Sequence, residues 1–136
     1  MSECIFCAIV AGEAPAEIIY TDDHCLAFLD IAPVARGHTL VIPKIHRADL
    51  SDIGPDRAAQ VMRAAITVAG MLQDRLEPAG MNLLQATGPL AGQTVFHFHL
   101  HVLPRYTGGE IQVHFPQRRV ADRDELGAVA DQIRSP

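Results

Sequence analysis

The chain has 136 residues, of which 49% are apolar and 20% charged, and carries a formal net charge of -5. A chain of that length buries about two thirds of its unfolded surface as one domain, so it needs neither a disulfide scaffold nor the staples of a mini-protein. The acidic balance argues against a general nucleic-acid-binding surface, whereas a mononucleotide or dinucleotide ligand needs only local donors.

The opening residues Met1-Ser2-Glu3-Cys4 carry no basic stretch, and Gly12, Glu13 and Pro15 interrupt the apolar run behind them. The expectation is a cytoplasmic chain without a signal peptide or membrane span. Residues 4–11 read as a short helix ended by Gly12. Residues 17–20 and 25–29 are β-rich pieces joined at Asp22-Asp23, which predicts a hairpin. A loop over residues 33–37 leads to a third strand, residues 38–42, stopped by Pro43. From Pro55 the apolar period changes: Ala58, Val61, Met62, Ala65, Ala69, Leu72 and Leu76 recur at three and four. That predicts one amphipathic helix of about 20 residues, opened by Pro55 and closed by Pro78 and Gly80. Residues 81–85 and 94–103 supply two further strands around a Gly/Pro loop. The tail over residues 122–134 reads as a second helix, acidic early and basic at Arg134. Antiparallel connections dominate, which makes the class α+β.

The stretch His97-Phe98-His99-Leu100-His101-Val102-Leu103 holds most of the chemistry. On a strand, successive side chains face opposite sides, so the imidazoles line one face at spacings of roughly 6 to 7 Å while Phe98, Leu100 and Val102 enter a core. Rings that titrate near neutrality can bind a phosphate, attack it and deliver a proton. A catalytic zinc ion on the same three rings is the rival reading, since imidazole is a common zinc ligand. Cys4-x-x-Cys7 reads as half a zinc site or as a redox pair, and Cys25, inside an apolar run, as a buried structural thiol. His24, His38 and His114 read as structural or exposed.

The residues from Gly92 to Val102 resemble the signature of the histidine triad (HIT) superfamily. Cys4-Ile5-Phe6-Cys7, residues 28–31, the segment Gly37-His38-Thr39-Leu40-Val41-Ile42-Pro43-Lys44-Ile45-His46 and Pro104-Arg105-Tyr106 resemble its bacterial Hint-like branch in order and spacing. The likeness runs from about residue 4 to about residue 110. It implies a five-stranded antiparallel meander with one long helix and short N- and C-terminal helices, in a single HIT domain over residues 1–136. It also implies a homodimer, and the acidic balance and the lack of an apolar span add the expectation that neither nucleic acid nor membrane is a partner. The activity implied is a nucleotidyl hydrolase or transferase acting on purine nucleoside phosphoramidates, aminoacyl adenylates or dinucleoside polyphosphates, with a non-catalytic nucleotide-binding module as the alternative.

By the same resemblance, His99 is the nucleophile, and His101 hydrogen-bonds phosphate oxygens beside the leaving group. Asp30 holds the ribose hydroxyls, Thr94 and Gln93 supply phosphate donors, and Gly92 and Gly88 let the chain approach the phosphate. Phe6, Phe28 and Ile31, with Ile5, line the base pocket. Cys4, Cys7, His46 and His97 form a closed structural zinc site, one ion per chain, which leaves His99 and His101 for phosphate chemistry. One position departs from the pattern: Ala86 stands where relatives carry an Asn that contacts the nucleotide, with Thr87 and Asn82 as the neighbouring polar residues able to compensate.

Overall fold

The computed structural model describes residues 3–136. Met1 and Ser2, part of the stretch read as lacking a leader, lie outside the described residues.

The N-terminal helix α1 spans Ile5–Val10, opened by Cys4, whose thiol accepts the Cys7 N–H, and it buries Phe6 and Ile9. The hairpin forms as expected from β1, Ile18–Thr21, and β2, Cys25–Leu29. At its turn Asp22 Oδ1 accepts the His24 and Cys25 N–H groups at 2.8 and 2.7 Å, an Asx turn that fixes the reversal. The third strand β3 spans Thr39–Pro43, so Pro43 is its last residue, opposite Cys25, rather than a stop before it.

Helix α2, Leu50–Ile53, is a single turn capped by Asp49, which the apolar pattern did not register. The long helix α3 runs Pro55–Leu76 and ends where Glu77 turns left-handed at φ 52°. Its buried stripe is Val61, Ala64, Ala65, Val68 and Leu72. This corrects the expected stripe at one place: Met62 is 43% exposed. At 3.6 residues per turn Met62 lies about 100° around the axis from Val61, off the stripe centred on Val61, Ala65, Val68 and Leu72, so helical phase turns it outward.

Strand β4 spans Gly80–Leu84, β5 spans Leu100–Arg105, and the C-terminal helix α4 spans Arg123–Arg134. All pairings are antiparallel, in the order β1-β2-β3-β5-β4. The meander holds through β3, and β5 then lies between β3 and β4. No helix among the described residues is long and apolar enough to cross a membrane.

Strand alternation sends β2 and β3 into two cores. Cys25, Ala27 and Val41 face α3 together with Phe98, Leu100 and Val102. Leu26, Phe28, Leu40 and Ile42 face α1 with Phe6 and Ile9. The second face is covered by the short α1, with Ala14, Ala16 and Val95 at its margin, and a cavity lies beside it. Gly37, at φ +88°, fits where it does because a Cβ there would stand 2.6 Å from Leu76 Cδ1 at the end of α3. That close approach fixes the residues just before β3 against the end of α3.

Candidate active site and metal centre

Residues 94–99 depart from the expected strand. The strand begins only at Leu100, and residues 95–97 bend, so that the Phe98 N–H donates to the Arg47 carbonyl at 2.6 Å. The bend is what lets His97 drop fully into the interior, at 0% exposure, rather than stand on a pleated surface. Phe98 still enters the α3 core, so the expected inward set Phe98, Leu100 and Val102 holds.

Each imidazole of the triad has one nitrogen fixed by the chain, and that assigns the other. His97 Nε2 donates to the Pro43 carbonyl at 2.8 Å, which leaves the Nδ1 lone pair facing the two cysteines. His99 Nδ1 donates to the His97 carbonyl at 2.8 Å, so Nε2 carries its lone pair. The chain around His101 is longer. The Val34 N–H donates to His38 Nδ1 at 3.2 Å, which requires the neutral His38 to bear its proton on Nε2. His38 Nε2 then donates to His101 Nδ1 at 2.9 Å, and His101 presents Nε2–H. Asp30 Oδ2 stands 3.5 Å from His38 Nε2, and Asp30 Oδ1 accepts the Ala32 N–H at 2.8 Å.

Burial sets the charge states. It pulls His101 down to about 4, helped by His99 and His38 and opposed by Asp30. It also lowers His38 against the pull of Asp30, and His97 against its bond to Pro43. His97, His101 and His38 are therefore neutral, oriented rings near pH 7.

His99 and His101 line a cavity of about 500 Å³ beneath α1. Phe6, Phe28, Asp30, Ile31, Gly92 and Thr94 line it too, so the structure brings these sequence-selected residues together. Gly92 adopts φ 97° in the loop that carries Thr94 to the cavity. Gln93 is not among the lining residues. It is buried, its Oε1 accepts the Gly88 N–H at 2.8 Å, and its Nε2 donates to the Ala48 and Val95 carbonyls. Its geometry is that of a staple for the loop.

Beside Ala86, Thr87 Oγ1 accepts the Leu50 N–H and bonds the Gln85 amide, while Asn82 accepts from Arg105. Neither is among the residues that line the cavity. The residue that sequence reasoning underrated is His38, buried and bonded directly to His101.

On the far side of Phe6, Cys4, Cys7, His46 and His97 bring one donor atom each within 4.8 Å of one another. Cys4 Sγ and Cys7 Sγ lie 3.4 and 3.5 Å from His97 Nδ1, Cys7 Sγ lies 3.4 Å from His46 Nδ1, and the two Nδ1 atoms are 3.3 Å apart. Ligand bond lengths around a tetrahedral zinc ion place sulfur and nitrogen about 3.5 Å apart and two nitrogens about 3.3 Å apart. The cluster fits that ion.

The second group of possible ligands, Asp30, His38 and His101, does not fit a tetrahedral ion as well. Its 2.9 Å nitrogen-nitrogen separation is that of a hydrogen bond. The rival of a catalytic zinc on His97, His99 and His101 fails on the same geometry, because His97 Nδ1 faces the cysteines and His99 Nδ1 is spent on a carbonyl.

A two-cored antiparallel sheet with one imidazole in a Cys/His cluster and two at a cavity defines a histidine-triad class of domain. Sequence and structure comparisons agree: the HIT domain profile matches residues 11–108, and the chain belongs to the HIT family. It is 47% identical over 107 residues to Protein hit of Bacillus subtilis, covering 79% of this chain and 74% of that protein. Adenylylsulfatase HINT3 of Arabidopsis thaliana is 36% identical over 104 residues, 76% of this chain and 53% of that protein. The crystal structure of a HIT family protein from Bacillus anthracis superposes at a TM-score of 0.90 and 40% identity, covering 97% of this chain and 95% of that one. A zinc-bound histidine triad family protein from Mycobacterium smegmatis superposes at 0.77 and 43% identity, covering 96% and 95%. A histidine triad nucleotide-binding protein from Candida albicans does so at 0.88 and 32%, covering 96% and 94%.

Beyond the triad, Glu110 organises the segment after β5. Its carboxylate accepts the N–H groups of Tyr106, Thr107 and Gly108 at 2.8, 2.9 and 3.0 Å, and Arg105 Nε at 3.3 Å. Those bonds, the Thr107 one foremost, hold it at about 2, below its ordinary 4.5. A carboxyl with a lowered folded-state pKa stabilises the segment above pH 4.5 and loses that contribution as the pH falls toward 2. Amide exchange protection of Tyr106, Thr107 and Gly108 is expected to fall over that window, and Glu110→Gln to remove the pH dependence. Unchanged protection at pH 2.5 would refute the assignment.

Proposed function

We propose that this protein is a nucleotidyl hydrolase or transferase that converts purine nucleoside phosphoramidates or dinucleoside polyphosphates to the nucleoside monophosphate, in a single HIT domain over residues 1–136. The observation that carries the reading is the tautomer pair: His99 keeps a lone pair, and His101 a proton, on the nitrogens not used by the chain. His99 Nε2 attacks phosphorus in line, forming a P–N bond to the imidazole as the bond to the leaving group breaks. Beside the anionic phosphate His101 takes up a proton from solvent, and the resulting imidazolium gives its Nε2 proton to the leaving nitrogen or oxygen. Water then attacks the nucleotidyl-imidazole, giving up a proton to His101, and releases the monophosphate with His99 restored.

The remaining assignments follow the cavity. Phe6, Phe28 and Ile31 take the base, Asp30 the ribose hydroxyls, and Thr94 with the backbone around Gly92 the phosphate oxygens, with Gln93 holding that loop. Relatives lend support by their names, since HINT3 is an adenylylsulfatase and the Candida albicans neighbour a nucleotide-binding protein. Cys4, Cys7, His46 and His97 would hold one structural zinc per chain. With four protein donors the ion keeps no open position and supplies stability rather than Lewis-acid chemistry. The reading includes a cytoplasmic homodimer, consistent with the exposed Met62, Ile66 and Met71 on α3 and Leu83 on the edge strand β4. A nucleotide sensor without turnover is the second reading, favoured by Ala86 and the committed side chains beside it.

AMP release from adenosine phosphoramidate and from diadenosine tetraphosphate separates the two, and the His38 variants refine it. His38→Ala removes the bond that fixes the His101 tautomer and is expected to lower kcat by about 100-fold with little change in KM. His38→Gln, whose amide N–H can occupy the place of Nε2–H, is expected to recover at least part of that loss. Binding of AMP without any release from either substrate would leave the sensor reading instead.

A further inference from the structure

His101 lines two cavities. Besides the one beneath α1, it opens with His38 onto a second cavity of about 470 Å³, on the side of Leu84, Leu103 and residues 111–114. The walls there are Val34, Leu84, Leu103, Ile111 and Val113, with Gln112 and His114 as the further polar residues. No Lys, Arg, Asp or Glu is among the lining residues described. The Arg105 guanidinium holds this wall in place, donating to the Gly108 and Ile111 carbonyls at 2.9 and 2.8 Å.

We propose that this second cavity receives the leaving group and selects uncharged, apolar amines, with Val113 and Ile111 as the specificity-determining residues. The proposal rests on the nucleotidyl-transfer reading above and adds the identity of the departing half. A phosphate held at His99 and His101, with its nucleoside beneath α1, has the second cavity across His101 for its other substituent. When the P–N bond breaks, its electron pair stays on the amine nitrogen. That nitrogen takes its proton from His101, which borders both cavities, and leaves as a neutral amine into apolar surroundings.

Charge distinguishes the possible occupants. Neither cavity has a Lys or Arg among its described lining residues, so a polyphosphate chain crossing between them would bring several negative charges with no cation to meet them. An alkyl or aryl amine carries no such cost, and a cavity of this size suits a small-molecule fragment.

The test is kcat/KM for three adenosine 5′-phosphoramidates: unsubstituted, N-benzyl and N-carboxymethyl. Ammonia and benzylamine are similarly basic, so a difference between the first two reports contact with the ring rather than leaving-group chemistry. The N-benzyl compound is expected to exceed the unsubstituted one by about tenfold, and the N-carboxymethyl compound to gain nothing. Val113 is 64% exposed, so Val113→Asp leaves the core alone. It is expected to bring the benzyl-to-unsubstituted ratio within about twofold of unity, and Val113→Lys to raise the ratio for the carboxymethyl compound. A benzyl preference unaltered by Val113→Asp, or equal values across the wild-type series, overturns this proposal and leaves nucleotidyl transfer standing. Faster turnover of diadenosine tetraphosphate than of the N-benzyl compound overturns it as well. No turnover of any compound removes both.

Discussion

Replacing His99 by Ala is expected to lower kcat for AMP release by about 10,000-fold or more, because the Nε2 lone pair that the His97 carbonyl bond leaves free is lost and His101 carries a proton on its own Nε2. The variant should fold. His99 makes one hydrogen bond, to the His97 carbonyl, and truncation leaves that acceptor unpaired at a cost of about 1 to 3 kcal/mol. Comparison with His101→Ala divides the labour. A phosphoramidate needs a proton on its departing nitrogen, whereas the p-nitrophenyl ester of AMP leaves as a stable anion. His101→Ala should therefore lose about 100- to 1,000-fold on the phosphoramidate and much less on the ester. His99→Ala should fail on both. Turnover by His99→Ala within about a hundredfold of wild type on either substrate would mean that the nucleophile lies elsewhere.

Those roles were only partly legible in the sequence, and the reasons are local. The alternation of residues 97–103 announces which side chains share a face, because parity along an extended chain needs no knowledge of partners. Phe98, Leu100 and Val102 do face α3. The bend at residues 95–97 was hidden, since it depends on the Phe98 N–H finding the Arg47 carbonyl, far away in the chain. His38 escaped for a similar reason. It precedes Leu40 by two residues and so shares its face, but only the β3–β5 register, which sets Leu40 opposite His101, brings the rings together. Parity within a strand is a sequence property, while register between β3 and β5 is a tertiary one. Gln93 shows the converse. A polar side chain beside glycine reads as a ligand donor, yet the two ends of its amide satisfy three backbone groups around the loop.

The Cys4, Cys7, His46 and His97 cluster carries the second large effect, and it reaches the candidate active site through Phe6. Cys4 and Cys7 flank Phe6 at the start of α1, and its ring meets His97, His99 and Phe28 edge-on at centroid distances of 5.8, 5.3 and 5.3 Å. An ion on Cys4, Cys7, His46 and His97 would thus clamp the wall of the nucleotide cavity to the chain that carries the nucleophile. Linkage gives the size: free zinc at a thousandfold above its dissociation constant stabilises the native state by about 4 kcal/mol. For a domain of this length that is roughly 10 to 15 °C in Tm. Elemental analysis is expected to find one zinc per chain, and both chelation and Cys7→Ser to remove it with a fall in Tm of that order. With four protein donors the ion would take no part in the reaction, so its loss should raise KM as the Phe6 wall loosens, with kcat less affected below the new Tm. Abrupt loss of kcat on chelation with Tm unchanged would return the metal to catalysis. A metal-free protein as stable as the zinc-loaded one would leave the cluster as a hydrogen-bonded group with no clamp to release.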